Sequence, residues 1–253
     1  MSNGTVRRRA AILEILGRDG FTSIPGLAQQ LGYSQATIRR DLAQLDRLGR
    51  VRRTYGGAMP SNLAEVPYRE KLGEAADAKL KIARVAAAQV EPGQAVGFTG
   101  GTTTLYVARQ LPRNFGLTVA SNALTIAMEL ANTDMRLILT GGELRGQTYE
   151  LVGPLTEPVL KHIHLDVMFV GVDGLSVSGG LTTHNPVEAQ ANRWLIDQSA
   201  RVIVVADARK LGRRTFAQIV PLDRVRTVIT DSAADPSQVE ALQAAGVETI
   251  IAG

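Results

Sequence analysis

The sequence predicts an α/β fold in two parts: a small N-terminal winged helix-turn-helix unit, then a larger unit built on a largely parallel sheet. Three observations carry this. Within residues 1–58 the apolar positions recur at helical spacing in segments broken by glycine, whereas beyond residue 79 short apolar runs alternate with helical ones. The charge is also divided, because residues 1–58 hold ten Arg and no Lys against four acids, giving +6 where the whole chain carries +4. The rest therefore sums to −2, and such asymmetry reads as a nucleic-acid contact zone attached to a nearly neutral body. A length of 253 residues suits two units, and 45% apolar against 21% charged residues implies folding throughout.

Helix one is expected where Val6, Ala10, Ile12, Leu13, Ile15 and Leu16 recur, with Gly17 and Gly20 closing it. Ser23 is the expected N-cap of helix two, with Pro25 in its first turn, and Gly32-Tyr33 ends it. Ser34 then caps a third helix in which Ile38, Leu42 and Leu45 form an inward stripe. That leaves Gln35, Ala36, Thr37, Arg39 and Arg40 outward near the helix start, the layout with which a helix-turn-helix presents polar side chains to the major groove. Arg39 and Arg40 suit guanine or phosphate and Gln35 suits adenine. After Gly49, residues 50–58 read as a β-ribbon with a glycine exit, whose Arg52 and Arg53 would track phosphate or the minor groove. The competing reading is a small helical domain that binds protein.

The run Ser34, Gln35, Ala36, Thr37, Ile38, Arg39, Arg40, Asp41, Leu42, followed by a basic wing ending Gly56, Gly57, Ala58, resembles the DeoR (GlpR-type) family of bacterial repressors. The resemblance implies that Thr37, Arg39 and Arg40 contact operator DNA, while Asp41 holds the domain together through a neighbouring arginine.

Residues 59–74, with Pro60, Ser61, Asn62 and Pro67, lack periodicity and are expected to link residues 1–58 to an effector-binding and oligomerisation domain at 75–253. That domain opens with a helix over Lys79–Val90, ended by Pro92-Gly93. Strands are expected at 95–98, 117–120, 136–139, 166–170, 201–206, 227–230 and 248–251, with helices at 105–111, 124–130, 187–198 and 239–245 between them. Ligands of open α/β sheets bind beyond the carboxyl ends of strands, so the loops there carry the functional information. Five are polar or glycine-rich: Thr99 to Thr104, Ser121-Asn122, Thr140 to Glu143, Gly171 to Gly174, and Asp207 to Lys210. Backbone N–H groups bared by Gly100 and Gly101, with the hydroxyls of Thr102 and Thr103, suit a phosphate at a helix start. No P-loop lysine and no G-x-G-x-x-G follows, so neither a nucleoside triphosphate nor a dinucleotide site is indicated. Lys210 offers a cation, and Asn122, Asp173 and Glu188 offer partners for sugar hydroxyls.

Thr140 to Arg145, Gly153-Pro154 and Gly171 to Gly174 also resemble the DeoR sensor domain. That domain is similar in fold to sugar-phosphate isomerases and CoA transferases, and the resemblance implies a phosphorylated sugar effector. The effector contacts are placed at Thr99, Gly100, Gly101, Thr102, Thr103, Asn122, Gly141, Gly142, Asp173, His184, Glu188 and Lys210. Many relatives begin the phosphate loop with Asp where this chain has Thr99. The rival reading is an isomerase with a DNA-binding appendage, Glu188 serving as base. Against it, pentose-phosphate isomerases carry a Lys-Gly-Gly-Gly loop shortly before their glutamate, and residues 178–183 read Ser-Gly-Gly-Leu-Thr-Thr. The electrophile is missing, and no catalytic residue is assigned.

Zero cysteines exclude disulfides and thiolate metal sites and suit a reducing compartment. His162 and His164, two apart, would point oppositely on a strand, so no metal is expected and no cofactor. Trp194 is expected in the core or at a subunit interface. The N-terminus has no apolar signal region and no run approaches the length of a membrane span, so the expected setting is the cytoplasm. The expected partners are operator double-stranded DNA, a phosphorylated sugar, and further copies of the chain as dimer or tetramer; no membrane is involved.

Overall fold

The computed structural model describes residues 3–19, 21–47, 50–54, 56–60 and 65–253. It divides into two compact units, Met1–Val66 and Pro67–Gly253. Gly20, Gly49, Tyr55, Ser61 and Asn62, which the sequence reading used, lie outside the described residues.

The first unit contains α1 (Asn3–Asp19), β1 (Thr22–Ser23), α2 (Ile24–Leu31), α3 (Gln35–Arg47), β2 (Val51–Thr54) and β3 (Gly57–Pro60). Ile12, Leu16, Leu27, Ile38, Leu42 and Val51 are fully buried together, so the periodic positions do form its core. Gly17 does not close α1, which runs on to Asp19; one glycine costs a helix only about 1 kcal/mol, less than burial of the adjoining apolar stripe returns. Ser23 caps α2, its hydroxyl accepting from Gly26 N at 3.1 Å, and Gly32 ends it at φ 70°. The ribbon expected over 50–58 is longer than read: Gly56, at φ 85°, sits before the return strand β3, which reaches Pro60 and lies between β1 and β2. Gly57 is required by close approach, since a Cβ there would meet Thr22 O at 2.6 Å.

The second unit begins earlier than expected. The linker read as 59–74 overlaps β3 at one end, and at the other it contains α4 (Tyr68–Leu72), five residues that precede α5 (Ala76–Ala87). There follow β4 (Ala95–Phe98), α6 (Thr102–Gln110), β5 (Thr118–Ser121), α7 (Leu124–Leu130) and β6 (Arg136–Leu139). A hairpin of β7 (Glu143–Arg145) and β8 (Glu150–Val152) leads through α8 (Glu157–Leu160) to β9 (Leu165–Val170). A second antiparallel piece combines β10 (Gly174–Ser176) and β11 (Gly180–Thr183), then α9 (Pro186–Asp197) and β12 (Ser199–Val205) follow, before β13 (Ala217–Val220) joins β11. The chain ends with β14 (Thr227–Asp231), α10 (Pro236–Ala244) and β15 (Glu248–Ala252).

The main sheet has seven strands in the order β15-β14-β12-β9-β4-β5-β6, all parallel. Alternate residues feed two cores: Val96, Phe98, Val167 and Phe169 pack under α5, α6 and α7, while Met168, Val170, Val202 and Val204 pack under α9 and α10. The chain steps from β4 outward to β6, then crosses back to β9 and steps the other way. Strand order therefore reverses between β4 and β9, where the loops beyond their carboxyl ends part and leave a crevice.

Candidate functional site

In the first unit, Gln35, Ala36, Arg39 and Arg40 are exposed along the start of α3, opposite the buried stripe of Ile38, Asp41, Leu42 and Leu45. Ser34 serves the helix start: its Oγ accepts from Thr37 N at 3.2 Å and lies 2.9 Å from Thr37 Oγ1. Asp41 is 2% exposed and is clasped by Arg8 and by Arg9, the latter at 2.8 Å. Burial alone would raise its pKa, but the two guanidinium groups outweigh burial and hold the carboxyl below the usual range. Arg8 also stacks over the Tyr33 ring at 4.8 Å. On the wing Arg53 is exposed and Arg52 half-buried, its guanidinium 3.5 Å from Glu65 O.

In the second unit a cleft, partly open to solvent, lies at the carboxyl ends of β4 and β9. Gly100, Gly101, Thr102 and Thr103 line it at the start of α6, with Asp173, Glu188 and Lys210 facing them. Gly101 takes φ 141°, a backbone state open to glycine, and helix α6 starts at the next residue. Asp173 is the electrostatic centre: its Oδ1 lies 3.0 Å from Lys71 Nζ and 3.4 Å from Lys210 Nζ, and its Oδ2 is 4.0 Å from His184 Nε2. Burial would raise its pKa, yet Lys71, Lys210 and His184 together hold it far below the usual carboxylate range. Thr183 Oγ1 lies 2.6 Å from Glu188 Oε1 and 3.2 Å from Asp173 Oδ2. Glu188 Oε2 accepts from Arg145 at 3.1 Å.

Several expected contacts stand elsewhere. Thr99 is fully buried and staples the two loops, accepting from Gly171 N at 2.9 Å and donating to Gly100 O at 3.2 Å. Asn122 is buried behind the cleft, donating to Glu150 Oε2 at 3.2 Å and Asn192 Oδ1 at 3.0 Å. Gly141 and Gly142 form a turn outside the cleft wall, at φ 71° and 118°, where a Cβ on Gly142 would meet Val152 O at 2.6 Å. His184 faces Asp173 from behind the lining and does not line the cleft. His162 and His164 are exposed in the turn after α8, not on a strand. Trp194 packs on the core beneath α9.

A family model described as the DeoR C-terminal sensor domain matches residues 74–232, and one described as a DeoR-like helix-turn-helix domain matches residues 8–62. The chain belongs to the DeoR family of transcriptional regulators. The HTH-type transcriptional regulator GlpR of Haloferax volcanii is 38% identical over 96% of each chain. The glycerol-3-phosphate regulon repressor of Escherichia coli K12 is 31% identical over 89% of this chain and 90% of that one. Among solved structures, ribose 5-phosphate isomerase A from Methanocaldococcus jannaschii aligns with 53% of this chain and 54% of its own, at 18% identity and a TM-score of 0.41.

In this DeoR-family chain the cleft also draws on residues outside the sequence reading. Tyr68, Lys71 and Glu74 line it from the stretch read as linker, Lys79 from α5, and Thr148 and Glu150 from the β7–β8 hairpin. Lys79 is 2% exposed and its ammonium donates to Lys71 O at 2.6 Å. Burial pushes its pKa down to about 8 against the pull of Asp207. Asp207 and Arg209, which also line the cleft, pair at 2.8 Å, and Arg209 reaches Glu74 at 2.9 Å. A buried lysine inside the helical pattern was the one available signal; the hairpin residues carried none. Among the described residues no helix is long and apolar enough to cross a membrane.

Proposed function

We propose that this regulator is a cytoplasmic repressor of sugar-catabolism genes, binding operator DNA through its N-terminal unit and a small phosphorylated sugar through the cleft of its second unit. The observation that carries the sensor half is convergence at the topological switch point. Backbone N–H groups at the start of α6 face Lys71 and Lys210 across a cleft that also presents Asp173 and Glu188 for hydroxyl groups. In the first unit, Gln35, Thr37, Arg39 and Arg40 on α3, with Arg52 and Arg53 on the wing, meet base edges and phosphates. Ser34 acts there through the helix start it caps. Oligomers of the chain set two or more such helices on repeated half-sites.

Binding is favoured over isomerisation because residues 178–183, Ser-Gly-Gly-Leu-Thr-Thr, bring no lysine as electrophile shortly before Glu188, whose carboxylate is held in place by Thr183 and Arg145. Isomerisation needs an electrophile to stabilise the enediolate as well as a base. The relatives' names, glycerol-3-phosphate regulon repressor among them, support a phosphorylated effector and repression as the sign of control.

The test is a thermal-shift screen of the whole protein against sugar phosphates and their unphosphorylated parents, since a ligand of the native state raises the melting temperature. The expected result is a shift confined to one or two phosphorylated sugars, which also release promoter DNA in a mobility-shift assay. A shift with the unphosphorylated parents alone, or none at all, overturns the sensor half.

A further inference from the structure

Glu150 opens β8 and is 2% exposed, yet it lines the cleft. Its Oε2 accepts from Asn122 Nδ2 at 3.2 Å. Its other side rests on the phosphate loop: a Cβ on Gly100 would come within 2.2 Å of Oε1 and 2.4 Å of Cδ. The loop's first glycine thus leaves the space that this carboxyl fills. Facing it are Glu188 on α9, held by Arg145, and Asp173 after β9, held by Lys71 and Lys210. Lys71, Lys210 and Arg145 already have carboxylate partners. Burial first, and then the Glu188 charge, push the Glu150 carboxyl well above its usual range, against weaker opposition from Asn122 and Lys71.

We propose that Glu150 is a ligand-recognising donor: its buried carboxyl, wedged between Asn122 and Gly100, offers an Oε1–H to an oxygen of a tetrahedral dianion seated on the loop from Gly100 to Thr103. This rests on the reading of the cleft as a phosphate site and specifies how that site selects. An ionised carboxylate at this spot repels a dianion, whereas the acid adds an O–H to the backbone N–H groups. Anion binding is then linked to the proton on Glu150 and weakens as that proton is lost.

Sulfate is the probe, because it stays a dianion across neutral and alkaline pH. Calorimetric titration of the full chain compares the wild type with Glu150→Gln, whose amide donates at every pH. Lys79 and Lys210 also lose charge toward alkaline pH in both proteins, so the affinity ratio between them is the readout. The expected ratio is near one at pH 6 and grows in favour of Glu150→Gln by roughly tenfold for each unit above the Glu150 pKa. Glu150→Ala, checked for folding by its melting curve, is expected to lose about tenfold at pH 6, where Glu150→Gln does not.

A ratio constant with pH overturns the proposal while leaving the phosphate site standing. Loss of glucosamine 6-phosphate binding in Glu150→Gln, with sulfate binding unchanged at every pH, overturns it in favour of an ionised carboxylate that pairs with an amine. A wild type that binds neither sulfate nor any phosphorylated sugar removes the phosphate site and the donor together.

Discussion

Asp41 is withdrawn from any ligand by burial, with Arg8 on its Oδ2 and Arg9 on its Oδ1. Its neighbours Arg39 and Arg40 point outward on the same helix, so three consecutive charged residues divide between scaffold and surface by helical phase alone. Asp41→Asn keeps the shape and removes the charge. Because one-sided removal of a buried pair leaves the partner uncompensated, the first unit should lose about 3 kcal/mol, the low end of the usual range since both arginines keep some solvent contact. The depressed folded pKa fixes the sign with pH. The Asp41 contribution is full above the unfolded carboxylate value of about 3.9 and is lost as pH falls through the folded value. Hydrogen exchange at α1 and α3, wild type against Asp41→Asn, measures both, and equal protection at neutral pH would contradict the assignment.

At the scale of elements, what the sequence made legible was whatever repeated. The stripes of α1 to α3 and the seven parallel strands each present several apolar residues in phase, and their expected positions fall within a residue or two of those found. The hairpin pieces β7–β8 and β10–β11 are three or four residues long, too short for a period of two to register. Helix α4 is five residues, and its place is set by long-range partners: Tyr68 N donates to Gln147 O at 3.0 Å, Arg69 to Tyr149 Oη at 2.7 Å, and Lys79 to Lys71 O. Those partners lie up to 80 positions away in sequence, so Lys71 and Glu150 came into the cleft without local signal, whereas Gly100 to Thr103 and Lys210 sat directly after strands.

Lys79 gives α4 a measurable handle. With its pKa lowered to about 8 in the folded chain and about 10.4 in the unfolded one, the unfolded state binds more protons between those values. Stability from this group therefore rises with pH over that window and is lowest below it, where the charged form must be buried. The difference in stability between wild type and Lys79→Met should show this rise and level off above about pH 10. Lys71 O also loses its donor in the variant, so hydrogen exchange at residues 68–75 should quicken. A difference flat with pH would mean that Lys79 keeps its ordinary proton affinity.

For the whole molecule the two units meet in thermodynamics. If a sugar phosphate releases operator DNA, operator must weaken sugar-phosphate binding by the same factor, for allosteric regulators commonly about 5- to 150-fold. Single variants separate the coupling from its two ends. Arg39→Ala on α3 removes the guanidinium proposed to meet a base edge and should cost operator affinity about 1–3 kcal/mol, more on operator than on random sequence, while sugar-phosphate affinity without DNA stays as in the wild type. Lys210→Ala removes a cation whose Nζ lies 3.4 Å from Asp173 and should weaken the sugar phosphate while leaving operator affinity without ligand unchanged. Fluorescence anisotropy on labelled operator, titrated with and without saturating sugar phosphate at one fixed salt concentration, reads both affinities from the same protein. Fixed salt matters because phosphate contacts make every operator affinity depend on counterion release. If Lys210→Ala instead abolishes operator binding in the absence of ligand, Lys210 belongs to folding or assembly, and effector recognition must rest on Lys71 and the loop at the start of α6.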